Sequence, residues 1–484
     1  MMGLHRKQDE LWCEPVNLAR RIPQDHPLRQ LQRVLDLDFV PQEVSRCYGR
    51  NGNVSVDPVI VLKMMLLLFW DNVASERELL RIIPLRIDYL WFLGYGLEDE
   101  IPHHSVLSKA RKRWGGELFS QLFGQVVQQC LDAGLVDGTK LHADSSLIRA
   151  DAAVNSVVRV TLAKLEEPAT DPSANSPTNT RGVHTTPVNG RHLVQTDPDS
   201  AVARHRSGKA VPSYKNHRLV DDKKGVVTVT QTTHGVVDDG VQLPALLAEQ
   251  EQKLPAVLQT LVADARYGTS ANFIALAKVG VHTHMADLRS KQRNLSVEGI
   301  HPRADFIYQA ESDTYQCPAG EELTRHHFHH HRGYWEYRAA AEVCAGCPQR
   351  AQCTRSRTGR SINRYPEQEL LDDARRQSHS EAAQKDRKRR QWFQERNFAE
   401  ASTQHGYKRA RWRGLWRQTI QDQIIATLQN LKILMRNLFA VFCGLWRALL
   451  WGWEYLLTSI KDFCRITSAM ANSSSAFNIQ CTTT

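Results

Sequence analysis

The sequence predicts an α/β protein in which a mixed sheet is flanked by helices, preceded by an all-α front and interrupted by a β-rich insertion. Three observations carry that expectation. Residues 25–135 show helical periodicity with capping signals. Residues 140–285 alternate strand-like and helix-like stretches in the order β-β-β-α-β-α-β. Residues 290–375 gather cysteines, aromatics and short alternating stretches such as GYWEYR. With 484 residues, 42% of them hydrophobic, the chain has core material for about three domains. A charged fraction of 24% and 11 Trp exclude a wholly disordered or collagen-like chain.

The front opens with Asp57-Pro58, a cap followed by proline at the first helical position, and VIVLKMMLLLFW behind it is apolar all round, as a buried helix would be. Ser75 and Glu78 stand at capping-box spacing before LLRIIP, where Pro84 stops the helix. Ser105 opens SVLSKARKRWG, a short helix bearing Lys109, Arg111, Lys112 and Arg113. Short helices ending in a basic one resemble a helix-turn-helix reader of DNA, with a solvated charged face as the plainer alternative.

In the second region KLHADSSLI, NHRLVD and VVTVTQT read as strands, the last two joined by a hairpin turn over Asp221–Gly225. VQLPALLAEQEQ reads as helix, TLVAD as strand, SANFIALAKVG as a helix ended by Gly280, and VHTHM as strand. Residues 153–213, rich in Thr, Pro, Ser, Asn and Asp, are expected to be a flexible insertion. Helix returns over 380–437, with Ile420, Ile424, Leu428, Leu431 and Met435 as a core-facing stripe. The expected layout is a helical DNA-binding domain at 1–135, the first part of a catalytic core at 136–289, a cysteine-bearing insertion at 290–375, and the rest of the core at 376–440. An apolar helix and disordered tail follow at 441–484. The opening MMGLHRKQDE has no apolar run, so no secretory signal is expected, and Arg447 and Glu454 interrupt the apolar stretch Leu438–Leu457, which argues against a membrane span.

In a βββαβαβ order the first strand lies centrally, beside the strand after the first helix, because a right-handed crossover returns the chain there. Asp144 on the first strand and Asp264 at the end of TLVAD therefore become neighbours. Two ionised carboxylates at a sheet centre cost several kcal/mol unless a cation sits between them, so a metal site is the economical explanation. Glu395 in QERNF is the candidate third carboxylate. Oxygen-only ligands point to a pair of Mg²⁺ or Mn²⁺ ions, as used in phosphoryl transfer. Asp137 and Asp151 compete for the first role and Glu400 for the third; Asp144 is preferred because strand-forming residues flank it, whereas Asp137-Gly138 reads as a turn. A lone Asp at a strand end is otherwise most often a turn or cap residue.

Over about residues 20–440 the chain resembles the DDE transposases of bacterial insertion sequences. The helical front up to HHSVLSKARKRWG, then AGLVDGTKLHADSSLIRAD, YKNHRLVDD, VVDDGVQLPALL, VADARYGT, and ERNFAEASTQHGYKRARWRGL with QNLKIL carry the resemblance. It implies an RNase H-like core, two Mg²⁺ ions, strand cleavage at transposon ends and strand transfer from the freed 3′-hydroxyl. It also implies double-stranded DNA, both ends and target, as partner, a homodimer on that DNA, and a cytoplasmic, nucleoid-associated bacterial protein. The family's triad falls on Asp144, Asp264 and Glu395. Many relatives carry Lys seven residues after the Glu and Arg four before it, where this chain has Ser402 and Gln391. The alternative function is a non-catalytic, zinc-containing DNA-binding protein, a decayed transposase.

Most of the net +10 is focused in residues 385–417, where Arg389, Arg390, Arg396, Lys408, Arg409, Arg411 and Arg413 stand out among eleven basic residues set against three acids. Interleaved with Trp392, Phe393, Tyr407, Trp412 and Trp416, the run reads as a phosphate-backbone footprint, a solvated helix face being the alternative. Cys317, Cys344, Cys347 and Cys353 give C-x26-C-x2-C-x5-C, from which one structural Zn²⁺ is expected, with His326, His327, His329, His330 and His331 as spare ligands and reduced unligated thiols as the alternative. The other six cysteines show no ligand spacing.

Overall fold

The computed structural model describes residues 17–49, 55–159, 192–205, 208–254, 256–287 and 299–438. The apolar helix and tail expected at 441–484, and residues 160–191 and 206–207 of the expected flexible insertion, lie outside the described residues. The chain divides into two compact units, Met1–Asp36 with Leu431–Thr484, and Leu37–Asn430. In the first, Pro27–Val34 is a helix that buries Leu28 and Leu31. The second holds a six-stranded sheet, a five-stranded sheet and a two-stranded one.

In the larger unit the front helices follow their sequence signals. Asp57 caps the helix Pro58–Trp70 by accepting from the Val59 amide at 2.7 Å, and every residue from Met64 to Phe69 is buried. Ser75 caps Glu76–Ile82 by accepting from the Glu78 amide at 3.1 Å. The helix Ser105–Trp114 ends at Gly115, whose φ of 72° is open to glycine.

Strands Lys140–Arg149 (β1), Val157–Arg159 (β2), His192–Val194 (β3), Ala201–Arg204 (β4), Ala210–Asp221 (β5), Val227–His234 (β6), Thr260–Ala263 (β7) and His282–Met285 (β8) follow. The main sheet runs β4-β5-β1-β7-β8, with β6 also paired to β5. β1 is antiparallel to β5 and parallel to β7, and β7 is parallel to β8. The parallel pairs are joined through the helices Asp239–Lys253 and Ser270–Lys278. The turn between β5 and β6 closes at Gly225, whose φ of +80° favours glycine.

The described ends of the 153–213 stretch are paired strand: β2 with β3, and β4 with the start of β5. Their polar composition conceals this, because edge strands bury little apolar surface. Leu141 and Ala143 of β1 join Leu219, Leu243, Leu246, Leu261 and Phe273 in the core on one face. Leu371 and Ala374 of the helix Gln368–Ser378 belong to the same core, so that helix packs on the main sheet although it falls within the expected insertion. On the other face lies the helix Glu381–His405, from which Gln394 donates to the His142 carbonyl at 2.9 Å and Phe393 stacks on the His142 ring. A second sheet, Ile307–Gln309 (β9), Thr314–Gln316 (β10), Glu322–His329 (β11), Tyr334–Arg338 (β12) and Ser361–Arg364 (β13), runs β13-β12-β11-β10-β9. Among the described residues no helix is long and apolar enough to cross a membrane.

Candidate active site

Alternation along β1 turns His142 and Asp144 toward the helix Glu381–His405 and Leu141, Ala143 and Ser145 toward the opposite layer. Asp144 stands opposite Arg218 of β5. The parallel register pairs His142 with Val262, so two residues further on Asp144 comes level with Asp264, just past the end of β7. Asp144 keeps 24% side-chain exposure, accepts from the Ser145 amide at 2.8 Å and faces an Arg390 guanidinium nitrogen at 3.0 Å. Burial pushes its carboxyl up to about 6; Arg390 pulls the other way, while the charges of Asp264 and Asp239 add to the rise. Asp264 caps its own turn, accepting from the Arg266 amide at 2.9 Å. Asp137 and Asp151 lie elsewhere: Asp137 accepts from Thr139 at 2.9 Å, and Asp151 faces Arg413 at 3.3 Å.

A third acid of this corner is Asp239, the first residue of the helix Asp239–Lys253 and only 3% exposed at its side chain. It accepts from the Ser145 hydroxyl at 2.7 Å and lies 3.3 Å from the Lys215 ammonium and 3.7 Å from the Arg266 guanidinium. The Tyr267 hydroxyl is buried beside Asp239, Asp144 and Asp264, and burial together with those three charges holds it well above the ordinary phenol range. A cleft lined by Arg204, Lys215, Asp238, Asp239 and Arg266 opens alongside. The packing of the helix Asp239–Lys253 against β5 and β6 brings Asp239 to the Ser145 hydroxyl of β1.

Glu395 is exposed and accepts from the Gln391 side-chain amide at 3.0 Å, and as placed it does not form with Asp144 and Asp264 a group of three suited to a metal ion. The face of its helix that meets the sheet carries Arg390, Gln394, Asn397, Phe398, Ala401 and His405, and Glu395 lies off that stripe. The helix is fixed by Arg218, fully buried, which donates to Asn397 Oδ1 at 2.7 Å, Gln429 Oε1 at 2.8 Å and Asn216 Oδ1 at 2.7 Å. The Phe398 and Tyr407 rings lie 5.0 Å and 4.8 Å from the guanidinium. Ser402 turns inward along its own helix, its hydroxyl donating to the Phe398 carbonyl at 2.5 Å.

The basic candidates separate into two kinds. Lys109, Lys112, Arg113, Arg389, Arg396, Lys408, Arg409 and Arg413 are exposed. Of these, Arg389 lies 2.8 Å from Asp222, Arg396 over the Trp392 ring, and Arg409 faces Asp151. Arg111, Arg390 and Arg411 serve the interior. Arg111 is buried against Glu76 and the Trp412 ring. Arg411 donates to the Val73 carbonyl and to Asn72 Oδ1, and burial lowers its pKa to about 10. Lys109, Lys112, Arg413 and Arg417 line one groove with Arg111, Arg411 and Trp412, so the Ser105–Trp114 helix and the basic run share a single basic cleft.

The four clustered cysteines are free thiols that line one cavity in the second sheet unit. The expected spare ligands lie on β11 and the turn after it; the imidazole that lines the cavity is His301, sixteen residues before Cys317 and outside the cysteine spacing. Among the described residues no three His, Cys, Asp or Glu side chains stand at mutual distances suited to a metal ion.

Comparison with known families bears on two parts of the chain. Residues 16–113 match a Transposase domain (DUF772). Residues 316–435 match a Transposase DDE domain, and this segment contains Glu395 and the basic run. No curated protein and no solved structure matches the chain. Two family models, one on the helical front and one on the end of the core, match the chain as transposase domains, and together they support a DDE transposase of insertion-sequence type.

Proposed function

We propose that the protein cuts the ends of a mobile DNA segment and joins the freed 3′-hydroxyls to target DNA, with Asp144 and Asp264 at the heart of a divalent-metal site on an RNase H-like sheet. One observation carries this reading: the two aspartates stand level on adjacent parallel strands, at the carboxyl end of β7. The strand order, with β1 central, antiparallel to β5 and parallel to β7, supports the RNase H-like assignment. The donor chemistry fits a hard cation. The corner offers carboxylate and hydroxyl oxygens from Asp144, Asp264, Asp239, Ser145 and Tyr267, and the Asp144 carboxyl is raised to about 6 first by burial, with the charges of Asp264 and Asp239 adding to the rise.

When bound, a pair of Mg²⁺ or Mn²⁺ ions supplies activation of the attacking oxygen and stabilisation of the leaving one. The chain's own residues prepare that chemistry. Asp144 and Asp264 would hold the ions, and Arg390 balances the Asp144 charge at 3.0 Å. Asp239 fixes Ser145 beside them. Glu395 completes the carboxylate set in this reading, since its partner Gln391 is neutral and yields readily to a cation. The exposed amines and guanidinia of the basic cleft bind phosphate. Two DNA ends need two such sites, which a homodimer at the nucleoid supplies.

The test is cleavage of labelled duplexes bearing the DNA that flanks the coding frame, with and without Mg²⁺. Expected are metal-dependent cuts at the ends, abolished by Asp264→Asn with DNA binding intact or tighter. Tight binding by the wild-type chain with no cleavage in either metal would sink the catalytic reading and favour the non-catalytic one.

A further inference from the structure

The second sheet unit, residues 299–364, is poor in core. Six side chains, Phe306, Tyr315, Leu323, Tyr337, Ala339 and Ile362, form its buried cluster. That is little for five strands and two short helices, and units of this size commonly need a covalent or metal staple. Cys317, Cys344 and Cys353 pack against this cluster, and with Cys347 all four line one cavity of about 30 Å³, room for a single small occupant.

The cysteines arrive on three separate supports. Cys317 follows β10 and opens a tight turn in which its carbonyl accepts from the Gly320 amide at 2.8 Å and its amide donates to the Glu321 carbonyl at 2.9 Å, with Gly320 at φ +87°. Cys344 lies in the helix Ala341–Gly346, and Cys347 directly follows it. Cys353 ends the helix Arg350–Cys353. The chain then returns at Gly359, φ +90°, so close to Cys344 that a Cβ there would lie 2.8 Å from its Sγ. The loop thus closes over the thiols only because that residue is glycine.

Two basic groups border the thiols. Arg360 lines the cavity, donates to the Cys353 carbonyl at 3.3 Å and pulls against the rise of the Cys353 thiol. His301 also lines it; its Nδ1 lies 3.0 Å from Asp305 Oδ2 while its Nε2 is buried with no hydrogen-bond partner. A carboxylate behind an imidazole whose other nitrogen is left over is the arrangement that orients histidines next to metals.

We propose that this cavity is a structural zinc site in which Cys317, Cys344, Cys347 and Cys353 are the ligands, Arg360 balances part of their charge, and His301 is the adjacent imidazole. The proposal stands apart from the catalytic reading, since no residue is shared. Tetrahedral coordination requires the sulfurs to close to about 3.8 Å from one another, as Zn–S bonds near 2.3 Å demand; the thiols must draw in from their present spacing around the cavity. Soft thiolates select zinc here, as the hard oxygen corner at Asp144 selects magnesium.

The test uses the full chain, purified reduced and passed over a weak chelator. Metal analysis should give one zinc per chain, and exchange with Co²⁺ should produce the sulfur-to-cobalt charge-transfer band and the d–d pattern of a tetrahedral tetrathiolate. The four thiols should resist alkylation until zinc is stripped. Asp144→Asn and Asp264→Asn should keep the zinc, and His301→Ala should keep it with the cobalt spectrum unchanged. A zinc-free wild-type chain whose cobalt form lacks the charge-transfer band, or four thiols that alkylate at once, overturns the site, and these readouts need no variant to fold. Loss of zinc in His301→Ala with retention in Cys317→Ser overturns the four-thiolate ligand set.

Discussion

Arg218→Met tests how the Glu395 helix is held to the sheet, and its cost can be worked from the contacts. The substitution keeps an unbranched, bulky side chain between Phe398 and Tyr407 but removes every donor. Asn216 Oδ1 still accepts from the Tyr407 hydroxyl at 3.1 Å. Asn397 Oδ1 and Gln429 Oε1, bonded to Arg218 at 2.7 Å and 2.8 Å, are left buried and unsatisfied. At about 1–3 kcal/mol for each orphaned group the two cost roughly 2–6 kcal/mol. Removing a buried guanidinium, whose pKa burial already lowers, returns part of this. The net expectation is a loss of about 3–5 kcal/mol, the range for breaking a buried polar pair from one side. Urea unfolding followed by tryptophan fluorescence measures it. Because Asp422 feels the Arg218 charge, the double variant with Asp422→Asn should be less damaged than the sum of the single ones, by about 1–3 kcal/mol. An Arg218→Met chain as stable as wild type would show the network to be replaceable by apolar packing, and the argument that it locks the helix would fail.

Two further expectations concern pH and DNA. Asp422 is fully buried with Thr232 and Gln418 as partners, and burial raises its carboxyl from 3.8 to about 7. A raised acid is protonated in the fold, so its contribution is complete below about pH 4 and lost as pH climbs through 7. Relative to Asp422→Asn, the wild-type chain should lose about 4 kcal/mol of stability over that interval. Parallel urea midpoints for the two proteins from pH 4 to 8 would contradict this. In the basic cleft, neutralising exposed Lys109, Lys112 and Arg413 together should weaken binding to every DNA sequence and flatten the log–log salt slope by about 0.9 for each lost phosphate contact. Arg111→Ala should instead lower thermal stability, because Arg111 is held by Glu76 and Trp412; an unchanged slope in the triple variant would move the DNA path elsewhere.

The elements legible in the sequence were those set by local physics. The cap at Asp57 and the apolar run behind it, broken only by Lys63, produced a helix buried from Met64 to Phe69, and Gly225 produced the β5–β6 turn. The placing of β1 beside β7 needed only the handedness of a crossover. What stayed hidden depends on which way a side chain faces. Arg111 looks like one of four equivalent cations until it is set on the stripe Leu107, Ala110, Arg111, Trp114, the helical spacing of the buried face. That signal was present in the residues. Glu395 is one position from Gln394, and a hundred degrees of helical rotation separates the side chain that bonds His142 from the one that faces solvent. Asp239 and His301 gained their surroundings only from distant chain, through β1 for one and the 344–360 loops for the other.

The end of β1 is tied to the basic segment through the main chain: the Arg149 amide donates to the Lys408 carbonyl at 3.0 Å, and the Ala410 amide donates to the Arg149 carbonyl at 2.8 Å. Five residues of strand separate Arg149 from Asp144, a span of about 17 Å at 3.3 Å per residue. No side-chain hinge lies in that span, so it acts as a ruler of fixed length. For a duplex lying along the strand, 17 Å is about five base pairs, half a helical turn. In the proposed reading, a phosphate held at Arg409 and a phosphate at the carboxylates would then lie on opposite flanks of the double helix, and the contact at Arg409 would set the rotational phase at which the DNA meets the aspartates.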